Sequence, residues 1–286
     1  MKNNYIKSFI NYQGNKYKLL PQILPLFPKE IDTFVDLFCG SGTVGLSVQA
    51  NRNIYNDINN KIVDILYYVK QHNIDDIICD IETIIMQYQL SKTNEDGFKE
   101  LRHDYNVLEL NPIALYTLMC YSFNYQCRFN NKGEYNSSFG RNRSSFTDNQ
   151  RSNLIKCSEV LKGQYTTFGY MSFEDFYYDR LMGGHGGDFV YIDPPYYGTI
   201  GSYNDGNRLF GDWTLEKELE LHRCVEYLDE KRIKFAISNN FTVNKQMKDF
   251  AESRGYNIHH LDMSYGNSNY QKKEKAKDDE VLITNY

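Results

Sequence analysis

Nowhere in this sequence is there an apolar run long enough to span a bilayer, and the charged residues between Met1 and Lys7 lead into no apolar segment of the kind a secretory leader needs. That pattern leads us to expect a cytoplasmic protein with no membrane-spanning helix. Cysteines are scattered. Cys39, Cys79, Cys120, Cys127, Cys157 and Cys224 form no Cys-x-x-Cys pair, so neither a zinc site nor a disulfide framework is implied, no metal is expected, and a reducing compartment fits. Positive charge is not in excess: the formal net charge is −5, which neither announces nor excludes a nucleic-acid partner, because such a partner needs only a local basic surface. Tryptophan occurs once, against 25 Tyr and 17 Phe. Rings with polar tips suit base-stacking surfaces and protein cores alike.

What is present is ordinary globular material, 41% hydrophobic and 24% charged over 286 residues, enough for one large domain or two modest ones with an extensive core. Thr33 to Leu37 is a short apolar run rich in β-formers and reads as a buried strand. A glycine-bearing loop from Phe38 to Gly42 follows, then a helix expected over Thr43–Ala50, a strand over Asn53–Asn56 ending at Asp57, and a helix from Asn60 to about Gln71. Strand, turn, helix, strand and acid in that order open a Rossmann-like α/β unit. From about Asp75 the character changes. Helical stretches near Asp75–Leu90, Asp96–Tyr105 and Ala114–Asn124 lead into a polar, turn-rich segment from Arg128 to Asn149, and strand signals return at Asp188–Ile192. A helix near Leu215–Glu230, a strand at Ile233–Ile237, a helix at Thr242–Arg254 and a terminal strand pair complete the chain. The expected organisation is an α/β core in two parts, residues 1–74 and 164–286, with a mainly helical insertion, residues 75–163.

Two places carry chemistry. In the first, Asp36 ends a strand and Gly40 and Gly42 let the backbone approach a ligand, since glycine tolerates positive φ and has no side chain in the way. Asp57, at the end of the next strand, can accept hydrogen bonds from ribose hydroxyls. The spacing of Gly40, Gly42 and Gly45 is not the dinucleotide fingerprint. Upstream, Lys16 in Tyr12-Gln13-Gly14-Asn15-Lys16 can pair with a carboxylate, such as that of a methionine-derived cofactor.

The second place is Asp193-Pro194-Pro195-Tyr196, directly after a strand. Consecutive prolines stop the strand and fix a rigid loop at its carboxyl end, where ligands bind in open α/β sheets. An exocyclic amine on a purine is a poor nucleophile because its lone pair is delocalised into the ring. The Asp193 carboxylate and the Pro194 carbonyl, accepting its two hydrogens, favour the tetrahedral nitrogen that attack requires, and Tyr196 offers a ring for a flipped base.

Tyr12-x-Gly14-x-Lys16, then Asp36 to Gly42, then Asp193-Pro194-Pro195-Tyr196 resemble the ordered motifs of the Dam-type DNA adenine methyltransferases, in the order called class alpha. The resemblance is especially close to the Dam enzymes of T-even phages and runs over nearly the whole chain, including Leu101 to Asn106, Arg128 to Gly133 and Asp279-Glu280-Val281. It implies S-adenosylmethionine as cofactor and adenine within GATC in double-stranded DNA as target. It also implies cofactor contacts at Tyr12, Lys16, Asp57 and Asp193 and at the backbone of Phe38, Cys39 and Gly40, with Phe173 and Asp175 near the cofactor's adenine. A cognate restriction endonuclease is the partner such an enzyme can have.

Reaching an amine inside a stacked duplex requires flipping the nucleotide out. From Gln126 to Lys156 the basic residues Arg128, Lys132, Arg141, Arg143, Arg151 and Lys156 face only Glu134 and Asp148, with Phe129, Tyr135, Phe139 and Phe146 interleaved. Such a stretch fits phosphate contacts, arginine readout of guanine and an apolar wedge. Arg128, Asn130, Lys132, Arg141 and Arg143 are the expected DNA contacts, with Arg128 and Arg141 on guanine; Asn142 departs from the resembling pattern, which has a basic residue there. A second basic run, Lys272 to Lys277, suits weak phosphate contacts. The rival readings are a methyltransferase acting on cytosine's amino group or on RNA, and a non-catalytic DNA-binding relative. A protein-amide methyltransferase favours Asn at position 193, and a dehydrogenase requires a nicotinamide cofactor.

Overall fold

In the computed structural model of the chain, residues 5–108, 110–182, 188–198, 212–262 and 278–286 are described. Strands β1 (Thr33–Asp36), β2 (Arg52–Asn56), β3 (Thr166–Gly169), β4 (Phe189–Ile192), β5 (Lys234–Asn240), β6 (Asn257–Leu261) and β7 (Glu280–Thr284) form one sheet in the order β3-β2-β1-β4-β5-β7-β6. Pairing is parallel from β3 to β5, whereas β7 runs antiparallel to both β5 and β6. The antiparallel β7 between β5 and β6 departs from the dinucleotide-binding arrangement, in which six strands run in the order 3-2-1-4-5-6.

The central strands are apolar without alternation because both faces are covered. Phe34, Phe189, Tyr191, Ala236 and Leu282 pack with Leu19, Leu20, Ile23 and Phe27 near helix α1 (Leu20–Ile23). Residues one position along, Val35, Val190, Phe235, Val281 and Ile283, join Leu221, Val225 and Leu228 of α8 (Leu215–Glu230) and Met247 and Ala251 of α9 (Lys245–Arg254). The remaining helices are α2 (Asn60–Gln71), α3 (Ile74–Gln87), α4 (Glu95–Leu108), α5 (Pro112–Tyr121), α6 (Asp148–Gly163) and the short α7 (Phe173–Phe176). Residues of α2, α3, α5 and α6 share one apolar cluster, so the helices that leave the sheet after β2 pack directly on the core's own α2. Among the described residues no helix is long and apolar enough to cross a membrane.

Three sequence expectations are corrected here. The helix expected over Thr43–Ala50 is one 3-10 turn, Gly45–Ser47, with Val48 extended. Tyr55 packs against Gly45 so closely that a Cβ there would lie 2.3 Å from the ring, and β-branched neighbours add little helical preference. The turn-rich segment ends at Thr147, which opens α6 with a reciprocal cap to Gln150. β3 was not expected at all. It has four residues, closes on glycine and sits on the sheet edge, so it lacks the apolar run that marks the central strands.

Candidate active site at the carboxyl ends of β1 and β4

The strand order reverses between β1 and β4, and in open α/β sheets the crevice outside the carboxyl ends at that point is where ligands bind. Asp36 closes β1 there, and Leu37 donates its backbone N–H to the Tyr191 carbonyl of β4 at 3.0 Å, which sets Asp193 beside it. A cavity of about 520 Å³ opens at this place. Tyr12, Lys16, Phe38, Cys39, Gly40, Asp57, Phe173, Asp193, Pro194 and Tyr196 all line it, so residues from five separate stretches of sequence meet. Asp175 does not. It is exposed, and its carboxylate accepts the Ser172 hydroxyl at 2.9 Å at the start of α7, while Glu174 lines the cavity in its place.

Lys16 is buried and donates from Nζ to Asp193 Oδ2 at 2.7 Å and to the Gly14 carbonyl at 3.0 Å. Burial pushes the Asp193 carboxyl above the ordinary aspartate range, and the lysine charge and hydrogen bond act against that rise. Asp36 is pushed well above it, first by burial and next by the charge of Asp193, against which the Gly45 N–H at 3.3 Å gives weak relief. Asp57 is raised by burial and steadied by two backbone donors, Asn59 N–H on Oδ1 and Gly40 N–H on Oδ2, each at 2.8 Å. Gly40 has φ 47°, and a Cβ on it would lie 2.9 Å from the Tyr12 ring, so this turn requires glycine twice over.

Tyr196 turns its hydroxyl away to Glu280 Oε2 at 3.1 Å, with Lys16 Nζ 5.3 Å from its ring centroid. Glu280, on β7, also accepts from Asn240 Nδ2 at 3.0 Å, and burial raises its carboxyl. The triplet Asp279-Glu280-Val281 carried a resemblance in the sequence but no role; the buried carboxylate on the last strand supplies one.

The expected DNA contacts divide. Arg128 lines the cavity and is held by Nε on Asn136 Oδ1 at 3.1 Å. Asn130 and Lys132 shape a tight exposed turn, where Asn130 Oδ1 accepts the Lys132 N–H at 2.9 Å and the Glu134 N–H at 3.0 Å. Arg143 is exposed and lies over the Phe123 ring, 5.5 Å from its centroid. Arg141 instead pairs with Glu95 of α4 and does not line the cavity. The expected wedge aromatics are corrected as well. Phe129 and Tyr135 are fully buried, and Phe139 and Phe146 pack against the core. The ring left exposed beside the cavity is Phe123, 41% accessible, next to Asn124 and Tyr125, which both hold positive φ, 53° and 57°. Two consecutive non-glycine residues in that region are costly and mark a constrained loop. The run Lys272 to Lys277 lies outside the described residues.

Residues 12–267 match the D12 class N6 adenine-specific DNA methyltransferases. The chain belongs to that family. A modification methylase, StsI, from Streptococcus sanguinis is 46% identical over 99% of this chain and 43% of that protein. A type II methyltransferase, M.FokI, from Planomicrobium okeanokoites is also 46% identical, with the same two coverages. A DNA adenine methylase from Escherichia coli is 28% identical over 85% of the chain and 83% of that protein. The chain thus spans less than half the length of the two relatives at 46% identity. Membership in this class implies S-adenosylmethionine as methyl donor, and the lining suits it. The cavity gathers Asp36, Asp57 and Asp193, carboxyl groups that suit a cationic sulfonium and ribose hydroxyls, and the Gly40 cradle leaves backbone room beside the Asp57 carboxylate.

Proposed function

We propose that this chain transfers a methyl group from S-adenosylmethionine to the exocyclic nitrogen of an adenine flipped out of double-stranded DNA. The observation that carries the reading is the Asp193 loop at the sheet's switch point, its carboxylate 2.7 Å from Lys16 inside a cavity of about 520 Å³. When bound, the cofactor supplies an electrophilic methyl group. Asp57 accepts the ribose hydroxyls through lone pairs that its two backbone donors leave free. Tyr12 packs the turn at Gly40, and Lys16 has a third N–H for the carboxylate of the methionine part.

Asp193 accepts one amine hydrogen and the Pro194 carbonyl the other, which localises the nitrogen lone pair for attack. Positive charge then grows on that nitrogen, and a carboxylate already in place stabilises it without reorganisation. The surplus proton leaves to Asp193 and from there to solvent. Tyr196, fixed by Glu280, provides the ring face for the base. Arg128 reads a base edge at the cavity mouth, Asn130, Lys132 and Arg143 hold the backbone, and exposed Phe123 fills the gap in the stack. Arg141 joins them where DNA replaces Glu95 as its partner.

The target in this reading is adenine in a short defined sequence, and GATC, carried over from the likeness to T-even phage and other Dam enzymes, is the first to try. Relatives named modification methylases favour a restriction endonuclease of the same target as functional partner, and a DNA substrate suits the cytoplasm. Labelled methyl transfer to two duplexes differing only in GATC tests this. Label confined to the GATC duplex supports the target, label on both removes the GATC assignment, and label on neither removes the DNA reading.

A further inference from the structure

The chain's single tryptophan lines the cavity. The Trp213 ring centroid is 5.4 Å from that of Phe173 and 5.7 Å from that of Phe38, and those two are 5.5 Å apart. Three rings therefore meet in one corner, tilted or edge-on to one another as aromatic quadrupoles favour. The indole is fixed from α8. Glu218, on the helix's first turn, is wholly buried, and its Oε2 accepts the Trp213 Nε1–H at 2.6 Å. Its Oε1 accepts from Asn244 Nδ2 at 2.8 Å, and Asn244 in turn caps α9 by accepting the Met247 N–H at 3.0 Å. His222 Nε2 lies 3.5 Å from the same Oε1. Leu221, Cys224, Val225 and Leu228 on this helix are all buried and apolar, so a carboxylate among them is costly unless its partners hold it. With its N–H committed to Glu218, the indole offers the cavity carbon surface alone.

A corner of three rings without a free donor suits the apolar face of a purine and offers nothing to a polar chain. We propose that Trp213 is a cofactor-binding residue packing against the adenine of S-adenosylmethionine, with Glu218 as the residue that positions it. The inference rests on reading the cavity as the methyl-donor site.

Trp213 is also the probe. In the intact protein, its emission changes on titration with S-adenosylmethionine and with adenosine but not with methionine, and the half-saturation for S-adenosylmethionine matches that from calorimetry. Trp213→Ala weakens the cofactor and its demethylated product alike by about tenfold, as loss of one stacking ring does, while kcat at saturation moves by less than about threefold. Trp213→Phe recovers most of the affinity. Glu218→Leu, which leaves the indole N–H without its acceptor, raises KM without lowering kcat and red-shifts the free protein's emission, because the unanchored indole meets water. Unchanged emission under calorimetrically proven saturation, or full affinity in Trp213→Ala, overturns the inference and leaves the function reading standing. Absence of calorimetric binding to the wild-type chain overturns that reading and the inference with it.

Discussion

Replacing Lys16 by Met removes the cation held against Asp193, at 2.7 Å, and leaves the carboxylate where burial already disfavours its charge. Opposite unit charges at such separation attract by about 4 kcal/mol or more when the effective dielectric constant is near 20. Water entering the vacated space returns part of this, and a neighbouring cation typically lowers a carboxyl pKa by about one to three. In the proposed mechanism Asp193 works as the carboxylate, so activity is expected to fall as pH drops through its folded-state pKa. Losing Lys16 raises that pKa, and the acid limb of kcat moves toward neutrality by about one pH unit or more. On the limb the rate then drops about tenfold at fixed pH, and above it the rate returns. The assay is the pH profile of methyl transfer at saturating cofactor, which separates this effect from any weaker hold on the cofactor's carboxylate. Lys16→Arg keeps the limb near its original place. The stability sign follows. A carboxyl whose folded pKa is raised stabilises the fold at low pH and loses that contribution as pH rises through the folded value, so Lys16→Met unfolds at lower temperature mainly on the alkaline side. An acid limb that stays put in Lys16→Met refutes the coupling.

Asp193→Asn should abolish methyl transfer while calorimetric cofactor binding persists, since the residue sits on a loop outside the strands. Glu280→Gln must turn an amide N–H toward either the Tyr196 hydroxyl or the Asn240 amide, costing about 1–3 kcal/mol in denaturant titrations at pH 8. The gap should narrow at low pH, where the raised Glu280 is itself protonated. Gly45→Ala puts a methyl 2.3 Å from the Tyr55 ring and should cost about 1–3 kcal/mol, whereas Gly163→Ala, with nothing within 4 Å, should be neutral or stabilising by up to about 1 kcal/mol. Arg128→Ala should flatten discrimination between duplexes differing at one base pair before it alters cofactor affinity; the reverse order removes Arg128 from DNA reading.

Much of this site was legible because its determinants are local. Two prolines after an apolar run announce a strand end, and Asp36, Gly40 and Asp57 sit at strand ends whose pattern is plain. What stayed hidden depends on partners distant in sequence. Lys16 meets an acid 177 residues away and Tyr196 a carboxylate 84 residues on. The Trp213 partner is near in sequence, but no charge pattern advertises the burial of Glu218. In the segment expected to read DNA the aromatics counted as wedge material are core, because a ring's type does not say which way it points; Phe129 and Tyr135 pack edge-to-face on each other at 5.7 Å. α6 went unread in the sequence although its signals are local. Thr147-x-x-Gln150 is a capping box, and buried Leu154, Cys157, Ser158 and Leu161 repeat at helical spacing behind its charged surface.

The proposed activity of this site is methylation of adenine at its exocyclic nitrogen. The most direct test treats unmethylated duplex DNA with the intact protein and S-adenosylmethionine, digests it to nucleosides and identifies the methylated one by mass spectrometry. N6-methyladenine, formed by the wild-type chain and absent with Asp193→Asn, is the predicted result. N4-methylcytosine, or N6-methyladenine formed equally well by Asp193→Asn, would contradict it.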